Sequence, residues 1–453
     1  SLNNEYRRSE TDQLVTNLRL NYKISSNFTF DTSGSYNRQF RETGVFNNSQ
    51  TVYGRLINKI NGINGSLDKR TWKYFSNINT LNYKKRLGNH YFDALVGATI
   101  NIRETSRQLV RSIEIPEYLE NLGVNSLDGG ILNSANDLYE NEQTKIFSIL
   151  SRFNYSFKNK YLLTLSVRRD ASSNFSEENR ADYFPSAAIS WQAHKEDFIK
   201  KLDVISQLKF KVGYGITGND RIPGTARCIF LTDNNANYFF GDDQTYLGQR
   251  PTSFGGNPNL VWETTTQSNF GIDLGLFDDK ISLTAEVYQK NTKDLLINAD
   301  AALSQGFSTI WINSGEVQNR GLEFSLSTLN VNTNNFKWSS NFNISFNENT
   351  VVSLPDGKAI FGRPNYYSLL STNQFIVEEG KPLGNMYGYI SDGVYQINDF
   401  QNYDATSSTH TLNAGEPSYK SHQPGDEKYK DLNGDGVITA ADKTIIGNGL
   451  ATH

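Results

Sequence analysis

Residues 257–296 read NPNLVWETTTQSNFGIDLGLFDDKISLTAEVYQKNTKDLL, and 312–326 read INSGEVQNRGLEFSL. Phe270, Ile272, Leu274 and Leu276 alternate with Gly271, Asp273 and Gly275; Ile281, Leu283, Ala285 and Val287 alternate with Ser282, Thr284 and Glu286. A period of two on both arms predicts two strands, each with an apolar and a polar face. The four residues between them, Phe277-Asp278-Asp279-Lys280, make the arms antiparallel neighbours. A longer polar link follows Val287, and then another alternating strand holds Leu322, Phe324 and Leu326.

The same rhythm of short turn and long loop runs outward from this stretch. On the N-terminal side, Leu14, Leu18, Leu20, Tyr22 and Ile24 share a face, and Phe28, Phe30, Thr32 and Gly34 follow after a short link. A long polar loop is expected over about residues 37–70, then arms ending in Leu81 and Tyr83 and resuming at Tyr91, Asp93 and Leu95. Asp93 interrupts the apolar pattern there. Residues 101–144 read as a polar connection. Phe147, Ile149, Phe153, Tyr155 and Phe157 then pair across Lys158-Asn159-Lys160 with Tyr161, Leu163, Leu165 and Val167. Ala187, Ile189 and Trp191 form the next strand. HKEDFIKKLDVISQ is expected to hold a helical turn or two, with Phe198 and Leu202 facing inward. Leu208, Phe210, Val212 and Tyr214 resume the alternation before an irregular region at 215–258. Phe336, Trp338, Phe342, Ile344 and Phe346 make a late strand, and YGYISDGVYQI (387–397) reads as extended.

In all, the 453 residues hold about twelve to fourteen consecutive antiparallel strands. A soluble sandwich uses fewer, and a propeller would repeat a signature that is absent here. Short turns on one side and long loops on the other are the pattern of an outer-membrane barrel, which closes because lipid leaves no partner for an unpaired backbone group. Composition agrees: 27 Phe and 24 Tyr against one Met and one Cys, with many of the rings near strand ends. No run of 18 apolar residues forms a membrane helix, and a mean hydropathy of -0.55 suits a barrel with a wet interior. A net charge of -4 and a pI near 5.9 argue against nucleic acid as partner. The lone Cys228 excludes an internal disulfide.

Six segments, in order, resemble the SusC/RagA-type TonB-dependent transporters of the Bacteroidota outer membrane. They are RRDASSNFSEENRADYFPSAAISW (168–191), LKFKVGYGITGND (208–220), the stretch 257–296, NSGEVQNRGLEFSL (313–326), GKPLGNMYGYISDGVYQ (380–396) and PGDEKYKDLNGDGVITAADKTIIGN (424–448). The resemblance implies an all-β fold: an antiparallel transmembrane β-barrel with long extracellular loops, here part of a 22-stranded barrel. Residues 1–453 then read as a fragment of one barrel domain, without the family's plug domain or last strands, and 424–448 as a calcium-loop-like insertion within it. It further implies import of oligosaccharides or peptides through the outer membrane of a Gram-negative cell. The partners would be a SusD-like surface lipoprotein, the TonB complex acting through the plug, and outer-membrane lipid. Within the family pattern, Trp262 is expected as an interface anchor, and Glu316, Arg320 and Glu323 as lumen-side or loop-side charges.

Two groups of residues are candidates for binding. Asp431-Leu-Asn-Gly-Asp-Gly matches D-x-[DN]-x-[DN]-G, which assigns Ca²⁺ ligands to Asp431, Asn433 and Asp435, the carbonyl of Val437, Thr439 and Asp442. Asp442 stands where an EF-hand has Glu, and no amphipathic helix precedes the loop, so it is closer to a dockerin loop. A metal-free Asx-rich turn explains the same residues. Tyr238, Phe239, Phe240 and Tyr246 sit among Asn and Asp in 232–250, a composition suited to sugar or peptide contact and equally to a packed surface loop. The five His show no metal-ligand spacing and stand in no hydrolase frame; His410 and His422 are expected to be solvated. An enzyme is not expected. The competing readings are a passive porin and a soluble or surface-attached β module tethered by a dockerin-like calcium loop.

Overall fold

The computed structural model describes residues 5–55, 62–132, 138–222, 232–239, 245–251, 254–362, 374–404, 409–420 and 422–450. The chain forms two compact units. One comprises Ser1–Leu202, Lys209–Thr264 and Leu296–Asn313; the other comprises Asp203–Leu208, Thr265–Leu295 and Ser314–His453.

In the first unit eight long strands pair in sequence order: β1 (Glu5–Lys23), β2 (Phe28–Asn47), β3 (Asn64–Leu87), β4 (His90–Ile113), β5 (Leu138–Phe157), β6 (Tyr161–Ser172), β7 (Ala181–Gln192) and β8 (Ile205–Asn219). Left-handed backbone at Lys158 and Asn159 makes the tight turn between β5 and β6, as the twist of paired strands requires. The register stacks like with like. Ala94, Val96, Ala98 and Ile100 of β4 face Phe153, Ser151, Ile149 and Phe147 of β5. Phe153 and Tyr155 in turn face Leu165 and Leu163 of β6, which face Ala187 and Ile189 of β7. Ile189 meets Val212 of β8.

This face is apolar and open: Val96, Phe147, Ile149, Phe153, Leu165, Val167, Ile189 and Val212 are all exposed. In water that would forgo about 25 cal/mol for every Å² left wet. In a bilayer the face is already solvated by hydrocarbon. Between Tyr155 and Phe147 the belt covers about 27 Å of strand, or about 20 Å along the membrane normal at a ~40° tilt. Rings gather at its short-turn edge, with centroids 4.7 Å apart for Phe28 and Tyr83, 5.2 Å for Phe92 and Tyr155, and 5.7 Å for Trp191 and Phe210. The opposite face is polar and internally bonded. Thr164 donates to Asn154 at 2.9 Å, Arg168 to Ser148 at 2.8 Å, and the hydroxyls of Ser166 and Ser186 lie 2.6 Å apart.

Three expectations need correcting. The strands run well past the hydrophobic pattern: β2 to Asn47 and β3 from Asn64, β4 to Ile113 and β5 from Leu138. The loops expected over 37–70 and 101–144 are therefore mostly strand. Beyond the hydrocarbon both faces meet polar surroundings, so alternation fades while the backbone ladder continues. Asp93 does not break the pattern. It belongs to the polar face, 3.7 Å from Lys84, and the lipid-facing set on β4 is the even one, Phe92 to Ile100. The link after β7 does contain a 3-10 turn and one turn of α-helix (Asp197–Lys200), but Phe198 and Leu202 are 63% and 50% exposed rather than inward.

The second unit carries four more long strands in sequence order: β9 (Glu263–Leu276), β10 (Ile281–Lys293), β11 (Glu316–Asn332) and β12 (Lys337–Ser353). Phe277, Asp278 and Asp279 all adopt positive φ in the turn. Val287, Leu322 and Phe346 align and are exposed, continuing the same two-faced design. Arg320 shares the face of Leu322 and Phe324 rather than the lumen face. It sits toward the loop end of β11, and its guanidinium reaches Glu348 at 2.8 Å. After β12 the chain changes character. Ile360–Gly362, Phe375–Val377, Asn385–Gly388 and Thr444–Asn448 form a small sheet, and short pairs join Ser391–Val394 to Glu427–Tyr429 and Phe400–Asp404 to Thr409–Leu412.

Candidate functional site

The NPNLVWE motif folds as a clasp for the loop ends of the first unit. The Asn257 side chain accepts from the amide of Asn259 at 3.0 Å and donates to the carbonyl of Trp311 at 2.8 Å. Pro258 fixes the backbone between them. Asn313 then imitates a strand partner: its side chain accepts from the amide of Val261 at 2.8 Å and donates to the same residue's carbonyl at 2.9 Å. Leu260 and Trp262 drop into a core with Phe175, Phe184 and Ile222. Trp262 is thus not an interface anchor. It is 5% exposed, lies 5.3 Å from Phe175 and 5.4 Å from Phe184, and donates to the carbonyl of Arg180 at 3.1 Å. Gly218 lets these rings close, because a Cβ there would stand 2.2 Å from Phe184.

Burial of Ile222 in that core holds Asp220 and Arg221 beside the polar face of the strands. There a cavity of ≈ 540 Å³ opens among Tyr74, Asn101, Arg103, Thr144, Asn174 and Arg221. Tyr74 of β3, Arg103 of β4 and Thr144 of β5 are register partners and form one row across three strands. Around them the polar groups are tied. Tyr74 donates to Asn101 at 2.9 Å, Ser172 donates to the Asp220 carboxylate at 2.6 Å, and Asn174 donates to the Asp220 carbonyl at 2.9 Å. The guanidiniums of Arg103 and Arg221 have no ion-pair partner among the described residues. This site was not legible in the sequence, because its residues come from five separated stretches. The one available signal was the polar parity of Asn101 and Arg103.

Residues 431–442 fold into a turn closed on its own Asx side chains. The Asp431 carboxylate accepts from the amides of Gly434 at 2.6 Å and Gly436 at 2.7 Å. Asn433 accepts from Asp435 at 3.0 Å, and Asp435 from Val437 at 2.8 Å. Gly436 takes a φ of 80°, which a side chain would resist. Asp442 is fully buried, accepting from the amides of Thr439 at 2.7 Å and Leu432 at 2.9 Å. The Thr439 amide, with those of Leu432 and Asn433, holds the Asp442 carboxyl below its ordinary value. Asp431, Asn433 and Asp435 line the turn, Val437 and Thr439 follow, and Asp442 returns beneath it, so the donor set fits a hard cation in kind. Among the described residues, however, no three His, Cys, Asp or Glu side chains are grouped to hold a metal.

Tyr238, Phe239 and Tyr246 fall on the antiparallel strands Thr232–Phe239 and Thr245–Pro251, where the backbones of Tyr238 and Tyr246 are paired. The side chains of Tyr238, Phe239 and Tyr246, and all of Phe240, lie outside the described residues, as does Cys228. His422 is a correction, since it is buried rather than solvated. Its ring stacks on Tyr395 at 4.4 Å and meets Tyr419 edge-on at 4.5 Å, and burial lowers its pKa. Tyr395 is 1% exposed and donates to the carbonyl of Pro417. His410, half-buried, lies 4.6 Å from Tyr403.

Comparison with known proteins agrees with this architecture. Residues 1–432 match the family model described as TonB dependent receptor-like, beta-barrel. The chain is 32% identical to TonB-dependent receptor P3 of Formosa agariphila, over 97% of this chain and 42% of that protein. It is 32% identical to TonB-dependent receptor SusC of Bacteroides thetaiotaomicron, over 66% of this chain and 28% of that protein. Among solved structures, the RagAB peptide transporter aligns with a TM-score of 0.71 at 22% identity, over 90% of this chain and 45% of that one, a likeness of fold. The chain spans less than half the length of the curated relatives it matches.

Proposed function

The chain belongs to the TonB-dependent receptor β-barrel family, whose members reside in the outer membrane, and we propose that it forms the wall and external loops of a nutrient importer. The observation that carries this reading is the pairing of an open apolar belt, edged by aromatic rings, with a polar opposite face. A soluble module would have to bury that belt against itself. The SusC/RagA resemblance implies an oligosaccharide or peptide as cargo, and the solved neighbour of like fold is described as a peptide transporter. In this reading a SusD-like lipoprotein covers the external mouth, and TonB acts on a plug elsewhere in the full protein. Tyr238, Phe239, Phe240 and Tyr246 are proposed as ligand contacts from the stretch 232–250.

The test is a mild-detergent pull-down of the full-length protein from native outer membranes, with mass spectrometry of what accompanies it. A stoichiometric surface lipoprotein is the expected result. A protein that stays soluble without detergent would sink the importer and leave the soluble β module.

We also propose that the 431–442 loop takes Ca²⁺ through Asp431, Asn433, Asp435, the Val437 carbonyl, Thr439 and Asp442. The support is the match of motif to formed loop. The ion would rigidify this turn. Titration calorimetry of the full-length protein should show heat with Ca²⁺ that Asp431→Ala abolishes; an unchanged, heatless titration would dispose of it.

A further inference from the structure

We infer that the cavity between β3, β4, β5 and the Asp220–Ile222 segment selects cargo bearing a carboxylate or sulfate group. The inference rests on the importer reading and adds a charge requirement to it. Three observations carry it.

The cavity lies on the polar face, the side on which a barrel encloses its passage. Its volume of ≈ 540 Å³ is in the range of small-ligand sites, which run to about 300–1,000 Å³. The charge balance then leaves a positive excess. Asp220 is the one acidic residue among its walls, and its carboxylate is engaged by Ser172 at 2.6 Å and Asn174 at 3.4 Å. Arg103 and Arg221, both exposed, carry two permanent positive charges against it, with no ion pair to either among the described residues. Arg107 and Arg168, by contrast, are matched, to Asp68 at 2.9 Å and to Asp170 at 2.6 Å.

The third observation is rigidity. Arg103 stands in the middle of a continuous ladder, and Arg221 is flanked by Ile222, which is packed against Trp262 in the clasp core. A guanidinium presents a planar fork of donors that suits a carboxylate or sulfate, and forks held on fixed backbone lose less freedom on binding. Tyr74, Asn101 and Thr144 offer hydroxyl and amide groups beside the forks for the neutral part of the ligand.

The test exposes detergent-solubilised full-length protein to a size-matched pool. The pool contains neutral cello-oligosaccharides, galacturonate oligomers, sulfated galactose oligomers, and peptides with acidic or uncharged side chains. Retained molecules are identified by mass spectrometry. We expect anionic members to be enriched at least about tenfold over neutral ones, and the identity of the enriched class to separate uronate, sulfate and peptide sources. Arg103→Gln with Arg221→Gln should remove the enrichment, while Arg103→Lys with Arg221→Lys should keep part of it. Retention of neutral and anionic members alike, or enrichment that survives the double glutamine variant, overturns the inference and leaves the importer standing. Retention of nothing overturns both.

Discussion

The strand ladder and the segment after Leu354 solve burial in opposite ways. Strands β4 to β8 turn Val96, Phe153, Leu165, Ile189 and Val212 outward, because hydrocarbon waits there to cover them. The region from Asn385 to Leu450 meets water and must cover its own groups. It hides Tyr395 against His422, folds Asp442 under the 431–442 turn, and places Lys428 on Glu416. The clasp around Trp262 is of this second kind, joined to strands of the first kind. Periodic structure therefore tolerates exchange of one apolar side chain for another, whereas the clasp and the loop region depend on individual contacts.

Four changes would break or sharpen that contrast. The largest effect is expected from Trp262→Ala. Removing a buried ring of this size costs about 3–5 kcal/mol. Limited proteolysis of the full-length protein should show new cleavage near 172–181 and 257–263 while the strands stay protected. Equal loss of strand protection would mean that clasp and ladder are one cooperative structure.

Next comes Val96→Arg on the lipid face, at about 2–4 kcal/mol for a charge near mid-bilayer. A lower temperature for loss of the folded band on unboiled gels is expected. Thr164→Ala, on the polar face, should shift that temperature far less. A similar shift from both would remove the assignment of faces.

Asn313→Ala comes third. It orphans the amide and carbonyl of Val261, for a cost of about 1–3 kcal/mol, and a denaturant midpoint should register it. Asn313→Asp keeps the acceptor but loses the donor, so it should fall between.

The smallest effect concerns pH. Burial holds the His422 pKa below 6.5, opposed by Asp426 and reinforced by Lys420. The unfolded chain therefore takes up a proton before the folded region does. Stability is complete above pH 6.5 and declines as pH falls through the depressed folded value. Hydrogen exchange over 395–430 should quicken at about pH 5.5 relative to about 7.5, beyond the intrinsic rate change, while β4–β7 does not respond. The Asp442 carboxyl has the same sign lower down. Its contribution is full above 3.8 and fades below.

The alternation of Phe270 to Val287 and of Phe147 to Val167 was enough to read strands, their pairing and their lipid face, because hydrocarbon rewards one side of a strand and a wet interior the other. Asp431 to Gly436 likewise declared its turn, since Asx side chains close on amides two to five residues away. Both are local rules. Where the strands end was a matter for the folded chain, since the ladder near Asn47 and Ile113 continues without an alternating pattern, helped by the Asn47–Asn64 side-chain bond and the buried cluster of Phe46, Ile63, Ile115 and Leu127. The burial of Trp262 and His422, and the meeting of Arg103 with Arg221, also belong to tertiary structure. Trp262 meets Phe175 and Phe184, His422 meets Tyr395, and Arg103 lies near Arg221 across loops and neighbouring strands, and their own stretches of sequence do not record those partners.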